Sequence, residues 1–440
     1  MYEGDRVMTY RTVTVAIAII GSVAVISSDS LAQQPGPPPG YYDIPKGYDF
    51  PADKQALEQL IANGDVAALR LHVWNLFAGM TQPTPDGKHA LFETWYAQDE
   101  AFQTGPVPQG SGPRHIVLRF KPPAQMTGLP GHAMPQAAGT AILSEVMFNY
   151  ANYRHIRSEK LYLNATLDQL KQTGAPDPII PDNKTIPPFP VDAISLKTVW
   201  WPILPNKITP MPIWDPSTNP QIPTGNPYQT WKNVVAVDPT RTNIPAGETT
   251  TVSFLKTPRP NSHVVSLKDN FHYVVVDAQM AAAAMANGRL RQFANDVLGR
   301  DLKVGDYVAF VGTHLTTKEI DKWVWATFWW HDHPNDGPFA QNRPASVTGV
   351  WSHYLMSDSY DLNLPKEADG KPHITFNPWL EAHFRDGIVS NCMNCHNRAS
   401  SPTPNFLPIY RGDPDLNSDA AYKKGSLRTD FLWSIPFAAQ

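Results

Sequence analysis

Two apolar stretches late in the chain decide the fold: residues 307–316 read YVAFVGTHLT and residues 323–330 read WVWATFWW. Both are rich in aromatic and β-branched side chains, which fit the pleated surface of a β-sheet. They therefore predict two strands of a β core. Similar but shorter stretches predict further strands at residues 115–120, 194–200, 234–237 and 250–255.

Several helices are expected around this β core. Residues 53–79 repeat apolar side chains with the helical period, and residues 277–298 are rich in Ala and end at Gly299. Shorter helices are predicted at residues 139–152, 158–173 and 378–386. The predicted fold class is α+β, with a β core, several peripheral helices and many proline-rich loops.

The composition excludes several classes of protein. The chain has 440 residues and 44 Pro, about twice the ordinary usage. A helix bundle is therefore unlikely, because proline stops helices. The net charge of −4 and the 11% of aromatic residues argue against a disordered chain and against nucleic acid as the main partner. Two cysteines are too few for a disulfide scaffold.

The N-terminus has the features of an export signal. Residues 12–26 (TVTVAIAIIGSVAVI) are apolar, follow Arg6 and Arg11, and are too short for an ordinary spanning helix. Ser30-Leu31-Ala32 resembles a cleavage site, so residues 1–32 are predicted to be a signal peptide. The alternative is an uncleaved anchor. We expect a periplasmic protein, with an extracellular location as the alternative, and no membrane-spanning segment in the mature chain.

Both cysteines lie in one short motif, Cys392-Met393-Asn394-Cys395-His396. This C-x-x-C-H pattern attaches c-type haem: two thiols bond to the porphyrin edge, and the adjacent imidazole binds the iron. A thioredoxin-like disulfide would prefer a βαβ context, which is not predicted here. A structural zinc site would need four ligands, and there is no second cysteine pair.

At this motif the chain resembles c-type cytochromes, and more loosely the large exported cytochromes that carry a single haem. The resemblance implies one covalent haem c on Cys392 and Cys395, with His396 as the proximal iron ligand. Residues 33–52 are then a Pro/Gly-rich extended segment and residues 53–376 an α+β body. Residues 377–440 form a haem attachment segment and a C-terminal tail, expected to pack on that body.

The sixth iron ligand is not indicated by the motif. Small cytochromes usually place a Met downstream, but no Met or His follows His396. Upstream, every second side chain from Trp323 to His333 would share one face of a strand. His331 and His333 are therefore candidates for a distal ligand or acid–base group.

Other interpretations of this block stay open. It could be an aromatic core strand that runs into a His-rich loop. It could also be part of a separate metal site with His314 or His353, although a second metal is not expected. His383 and Met356 are weaker candidates for the sixth ligand.

Three functions compete at this point. The favoured one is a haem-dependent oxidoreductase, peroxidase- or oxygenase-like, with an open or weakly held distal position and a small-molecule substrate. The first alternative is an electron-transfer cytochrome with six-coordinate haem and a periplasmic redox partner. The second alternative is a haem-based sensor or binding protein for a small ligand.

Overall fold

The computed structural model describes residues 1, 36–105, 118–123, 141–178, 180–216, 227–360, 373–384, 387–403 and 425–440. The predicted signal peptide lies outside these ranges apart from Met1, as does half of the predicted strand at residues 115–120. Residues Pro38–Gln440 form one compact unit. The predicted body and the described parts of the predicted attachment segment therefore belong to the same unit.

The described strands form three sheets, of which the central sheet is the largest. In the described part of the chain the strands are β1 (Tyr96–Ala97), β2 (Leu143–Phe148), β3 (Ala175–Pro176), β4 (Lys184–Thr185), β5 (Ile194–Ile203), β6 (Thr209–Ile213), β7 (Asn233–Asp238), β8 (Thr249–Phe254), β9 (Thr257–Ser266), β10 (Tyr273–Val275), β11 (Tyr307–Thr317), β12 (Val324–Trp330), β13 (Tyr354–Ser359), β14 (Ser400–Ser401) and β15 (Leu427–Arg428). The seven-stranded central sheet has the order β1-β2-β5-β11-β12-β13, with β10 also paired to β11. Two four-stranded sheets have the orders β6-β7-β9-β8 and β14-β15-β4-β3.

Helices surround the sheets. The described α-helices are α1 (Lys54–Asn63), α2 (Val66–Met80), α3 (Gln98–Phe102), α4 (Tyr150–Ser158), α5 (Asn164–Thr173), α6 (Leu267–Asn270), α7 (Ala278–Ala286), α8 (Gly288–Leu298), α9 (Pro378–Glu381), α10 (Cys392–His396) and α11 (Ser434–Ala438). The α+β class is confirmed. No helix within the described ranges has the length and apolarity needed to cross a membrane.

The two stretches that predicted the β core pair directly with each other. β11 and β12 are antiparallel, with Gly312 opposite Trp329 and Thr316 opposite Trp325. A bulge against β5 falls between Phe310 and Gly312. A Cβ at Gly312 would lie 3.0 Å from the carbonyl oxygen of Phe328, so a larger side chain would crowd the neighbouring strand.

The predicted helices are divided by local caps. Residues 53–79 form α1 and α2, because Gly64 adopts a left-handed conformation (φ 68°) and Asp65 caps the second helix. Residues 277–298 likewise form α7 and α8, with Asn287 as the cap between them.

The predicted helix at residues 139–152 is wrong. The described part of that segment contains strand β2, followed by the start of α4. β2 pairs with β1 and β5 inside the central sheet, and these neighbours outweigh a weak helical preference.

Helix α2 packs against β12 and β13 and fixes the middle of the core. The rings of Phe77 and Phe328 stack with centroids 4.1 Å apart. Nearby, the Arg70 guanidinium donates to the Asp358 carboxylate at 3.0 Å, and both side chains are buried. β12 begins directly after Trp323, whose backbone has a positive φ of 62°. This left-handed conformation interrupts the predicted alternation of side chains between the two faces of the strand.

Candidate functional site

The C-x-x-C-H motif forms helix α10 of five residues. Cys392, Cys395 and His396 stand at positions i, i+3 and i+4, so they share one helix face. Asn391 caps this helix, because its Oδ1 accepts from the backbone N–H of Met393 at 2.9 Å. Its Nδ2 donates to the carbonyl oxygen of His373 at 2.9 Å and thereby ties the helix to the chain beyond β13.

The motif opens into a cavity on one face of the central sheet, which we call the motif cavity. Its volume, as space open to the centres of water molecules, is about 280 Å³, close to the lower end of about 300–1,000 Å³ for cofactor sites. Cys392, Cys395 and His396 all line it. The wall opposite comes from β2, β5, β11 and β12, and residues of α9 and α11 complete it.

His396 is held with one ring nitrogen fixed and one available. Its Nδ1 lies 2.7 Å from the carbonyl oxygen of Phe431. Because a carbonyl oxygen only accepts, Nδ1 carries the proton and Nε2 has the lone pair. Burial lowers the pKa of His396 to about 4, which favours the neutral ring that binds metals. The Trp325 ring lies against it with a centroid distance of 4.4 Å.

The two thiols are free and unsuited to thiolate chemistry. Burial, together with the negative charge of Glu381, raises the pKa of Cys392 well above its ordinary value. Burial raises the pKa of Cys395 to about 11. Redox-active C-x-x-C pairs depend on a lowered thiol pKa, so this environment does not favour a disulfide oxidoreductase.

These residues fit a covalently attached haem. Two thiols and a neutral imidazole with an available Nε2 are the donors that haem c requires. The backbone carbonyl on Nδ1 is the partner that commonly orients a metal-binding imidazole. A preformed zinc centre fits less well, because within the described ranges the ligand atoms of the motif do not belong to any convergent group of three or more.

Several ionisable groups line the same cavity. Most of them were not predicted from the sequence. Lys197 on β5 lies directly opposite His314 on β11, and both face the motif cavity. Nε2 of His314 lies 3.0 Å from Oε1 of Glu381, whose pKa is held below its ordinary value. Burial alone would raise that pKa, but the charge and hydrogen bond of His314 outweigh it. Burial lowers the pKa of Lys197 to about 8, against the opposing charge of Glu381.

Glu145 on β2 borders the cavity, but its carboxyl group points to the other face of the sheet, because Glu145 lies opposite Thr198 and Val146 lies opposite Lys197. Burial raises its pKa to about 8, although the backbone N–H of Arg119 donates to it at 3.1 Å. Glu145 and Lys197 are the only charged residues in their strands, whose sequences are LSEVMF and ISLKTVWWPI. A charged residue within such a strand could have marked a candidate functional residue. The sequence alone does not show that the two strands lie side by side.

The structure places His331 and His333 away from the motif. They follow the far end of β12 and line a second cavity of about 400 Å³, which does not include the cysteines or His396. His331 lies six positions after Trp325. At about 3.3 Å per position of an extended strand, the two backbones are roughly 20 Å apart. A distal role would need these histidines in the motif cavity, so the structure does not support that prediction.

The remaining sixth-ligand candidates also lie off the motif cavity lining. Met356 is fully buried in β13. His383 packs on Phe384, with a ring-centroid distance of 3.9 Å, and both its ring nitrogens are buried without a hydrogen-bond partner. His353 and His314 were suggested as further ligands of a separate metal site. His353 lies 3.1 Å from the Asn270 amide, whereas His314 lines the motif cavity.

No protein-family model, curated protein or solved structure matches this chain. The resemblance to c-type cytochromes therefore rests on the five-residue motif alone.

Proposed function

We propose that the chain is an exported c-type cytochrome with a redox function, carrying one haem bonded to Cys392 and Cys395. One observation carries this proposal: the two thiols and His396 line one cavity, and the Phe431 carbonyl fixes the His396 proton on Nδ1. His396 is then the proximal ligand through Nε2. A bound haem would supply one-electron or peroxide chemistry at its iron.

The favoured activity is that of a haem enzyme, peroxidase- or oxygenase-like. Among the described lining residues there is no Met, and the one imidazole besides His396 is His314, whose Nε2 lies against Glu381 and whose Nδ1 has no hydrogen-bond partner. A lining without a methionine ligand supports an open or weakly held distal position. Lys197 and His314 can carry exchangeable protons beside the space that a substrate would enter, and the Glu381 carboxylate accepts from His314.

The attachment is tested by expressing the full chain with a haem maturation system and staining a denaturing gel for covalent haem. The wild type should retain one haem per chain. Cys392→Ala and Cys395→Ala should each lose most covalent haem, and the double variant all of it. Met393→Leu is the matched control, because Met393 occupies a free position of the motif. Absence of covalent haem from the wild type would overturn the proposal.

A visible spectrum separates catalysis from electron transfer. A high-spin ferric haem that reacts with peroxide supports the enzyme. A low-spin spectrum unchanged by carbon monoxide or peroxide contradicts the enzyme and supports the electron-transfer alternative. Contact between Trp325 and His396 is the observation that favours this alternative, because an aromatic ring beside the proximal ligand extends the path for an electron. Fractionation and mass analysis for cleavage after Ala32 test the export proposal.

A further inference from the structure

Three side chains with metal-binding atoms meet beside the second cavity. His263 belongs to β9, and Asp332 and His333 follow the end of β12. One ligand atom from each lies within 4.8 Å of the others. No other group of three or more His, Cys, Asp or Glu residues converges in this way within the described ranges. The sequence interval of about 70 residues between His263 and the other two hides this convergence.

The distances match those around a small metal ion. Nδ1 of His263 lies 2.9 Å from Oδ2 of Asp332, and Nε2 of His333 lies 3.6 Å from the same oxygen. Ligands at about 2.0–2.2 Å from a tetrahedral ion stand roughly 3.3–3.6 Å from each other. The second distance lies at the upper end of this range, and the first is a few tenths of an ångström below it.

His331 positions the turn that carries two of these ligands. Its Nδ1 accepts the backbone N–H of His333 at 2.9 Å, and its own N–H donates to the carbonyl oxygen of His353 at 2.9 Å. Its side chain is 11% exposed, against 54% for His333. His331 therefore holds the turn in place, while His333 is the more exposed of the two imidazoles. Such supporting groups are a regular part of metal sites.

We propose that His263, Asp332 and His333 bind one divalent transition metal ion, with a remaining position open to the cavity. Two imidazoles and a carboxylate suit Zn²⁺ and its first-row neighbours, whereas Mg²⁺ and Ca²⁺ prefer ligand sets made only of oxygen. Lys232, Arg259 and Asp215 line the same cavity. With a divalent ion bound, the positive charges there outnumber the negative ones, so an anion is favoured at the open position. This site lies apart from the motif cavity and does not depend on haem.

The ion would join two sheets. β9 lies in the β6-β7-β9-β8 sheet, and β12 lies in the central sheet. Without metal, a protonated His263 paired with Asp332 would make a weaker version of the same link. A bound ion stabilises only the folded arrangement, so metal binding should raise the melting temperature.

Zn²⁺ is the probe for the test. The purified full chain is dialysed against a chelator and titrated with ZnCl₂ in a calorimeter, with elemental analysis of zinc and iron. The wild type should bind one Zn²⁺ per chain. His263→Ala, His333→Ala and Asp332→Asn should each weaken binding at least tenfold. His155→Ala should bind like the wild type, because His155 lies on α4 and contacts the Pro187 carbonyl oxygen instead.

Melting curves identify variants that do not fold. Each variant is melted without metal, and only those that unfold cooperatively are compared. Zn²⁺ should raise the melting temperature of the wild type and of His155→Ala, but not that of His263→Ala, and Mg²⁺ should raise none of them. The proposal is overturned if the wild type binds no stoichiometric Zn²⁺, or if His263→Ala binds it equally well.

Discussion

Lys197 and His314 face each other across β5 and β11, and both side chains line the motif cavity. Glu381 from α9 lies 3.0 Å from the His314 ring and holds it in place. A partly buried amine, imidazole and carboxylate thus stand beside the space that the proposed haem would share with a substrate. A protein that only carries electrons does not need such a group of acid–base residues.

Replacing His314 tests whether this group takes part in catalysis. In haem-loaded protein, His314→Asn should slow the reaction with hydrogen peroxide by about 10²- to 10⁴-fold, the usual contribution of a positioned acid–base residue. Stopped-flow absorbance and its pH profile measure the effect. Thr316→Ser is the control, because Thr316 lines the cavity two positions along the same strand. An unchanged rate would count against a proton-transfer role for His314.

The proximal assignment of His396 predicts chemical rescue. His396→Gly should change the Soret band, because the iron loses its protein ligand, and added imidazole should restore a spectrum close to that of the wild type. The Phe431 carbonyl, now without its imidazole, can accept from the added molecule in the same position. Absorption spectra with and without imidazole measure this. An unaltered spectrum in the variant would assign the ligand elsewhere.

The buried pair of Arg70 and Asp358 should dominate the stability of the α2 contact with β13. The side chain of Arg70 also reaches backbone carbonyl oxygens, including that of Gln341 at 3.2 Å. Arg70→Met should cost about 3–5 kcal/mol in the free energy of unfolding, because it leaves the Asp358 carboxylate buried without its charge partner. Urea denaturation measures the loss. Arg70→Met combined with Asp358→Leu should cost less than the sum of the single variants, and strict additivity would contradict the coupling.

His72 should make stability depend on pH. Burial alone would lower its pKa, but the hydrogen bonds that its ring N–H groups donate to Asp49 at 3.2 Å and to Glu319 at 3.1 Å raise it to about 9. An unfolded histidine titrates near 6.5. The stabilisation is therefore complete below pH 6.5 and disappears as the pH rises through 9, and it amounts to roughly 3 kcal/mol.

Urea denaturation of the wild type and of His72→Gln at pH 6 and pH 9.5 isolates this contribution. The difference in unfolding free energy between the two proteins should be larger at pH 6. A difference that is equal at both pH values would show that His72 is not charged in the folded protein.

Local sequence patterns predicted the strands that are rich in aromatic and β-branched residues. β11 and β12 are the clearest examples, and their ends agree with the prediction within one residue. β2 was missed because its six residues depend on pairing with β5 for their conformation. Sequence also cannot show a single-residue break such as Trp323, where a left-handed backbone ends the regular alternation of faces.

Only some residues of the candidate sites could be predicted from the sequence. Cys392, Cys395 and His396 were predicted because their chemistry depends on spacing within one helical turn. Lys197 was missed because its proximity to His314 arises from the register of β5 against β11. His263 was missed because its proposed partners follow a different sheet. A distance that tertiary structure sets leaves no local pattern in a single sequence.

β12 has a consequence for spectroscopy. One of its ends lies at Trp325 beside His396, and the other leads directly to Asp332 and His333. Seven positions at about 3.3 Å each place the backbone of Asp332 roughly 23 Å from that of Trp325 if the chain stays extended. Neighbouring strands hold β12 on both edges, so this separation is rigid. A paramagnetic ion at each end would therefore give a single, narrow distribution of spin–spin distances, set by the length of this strand.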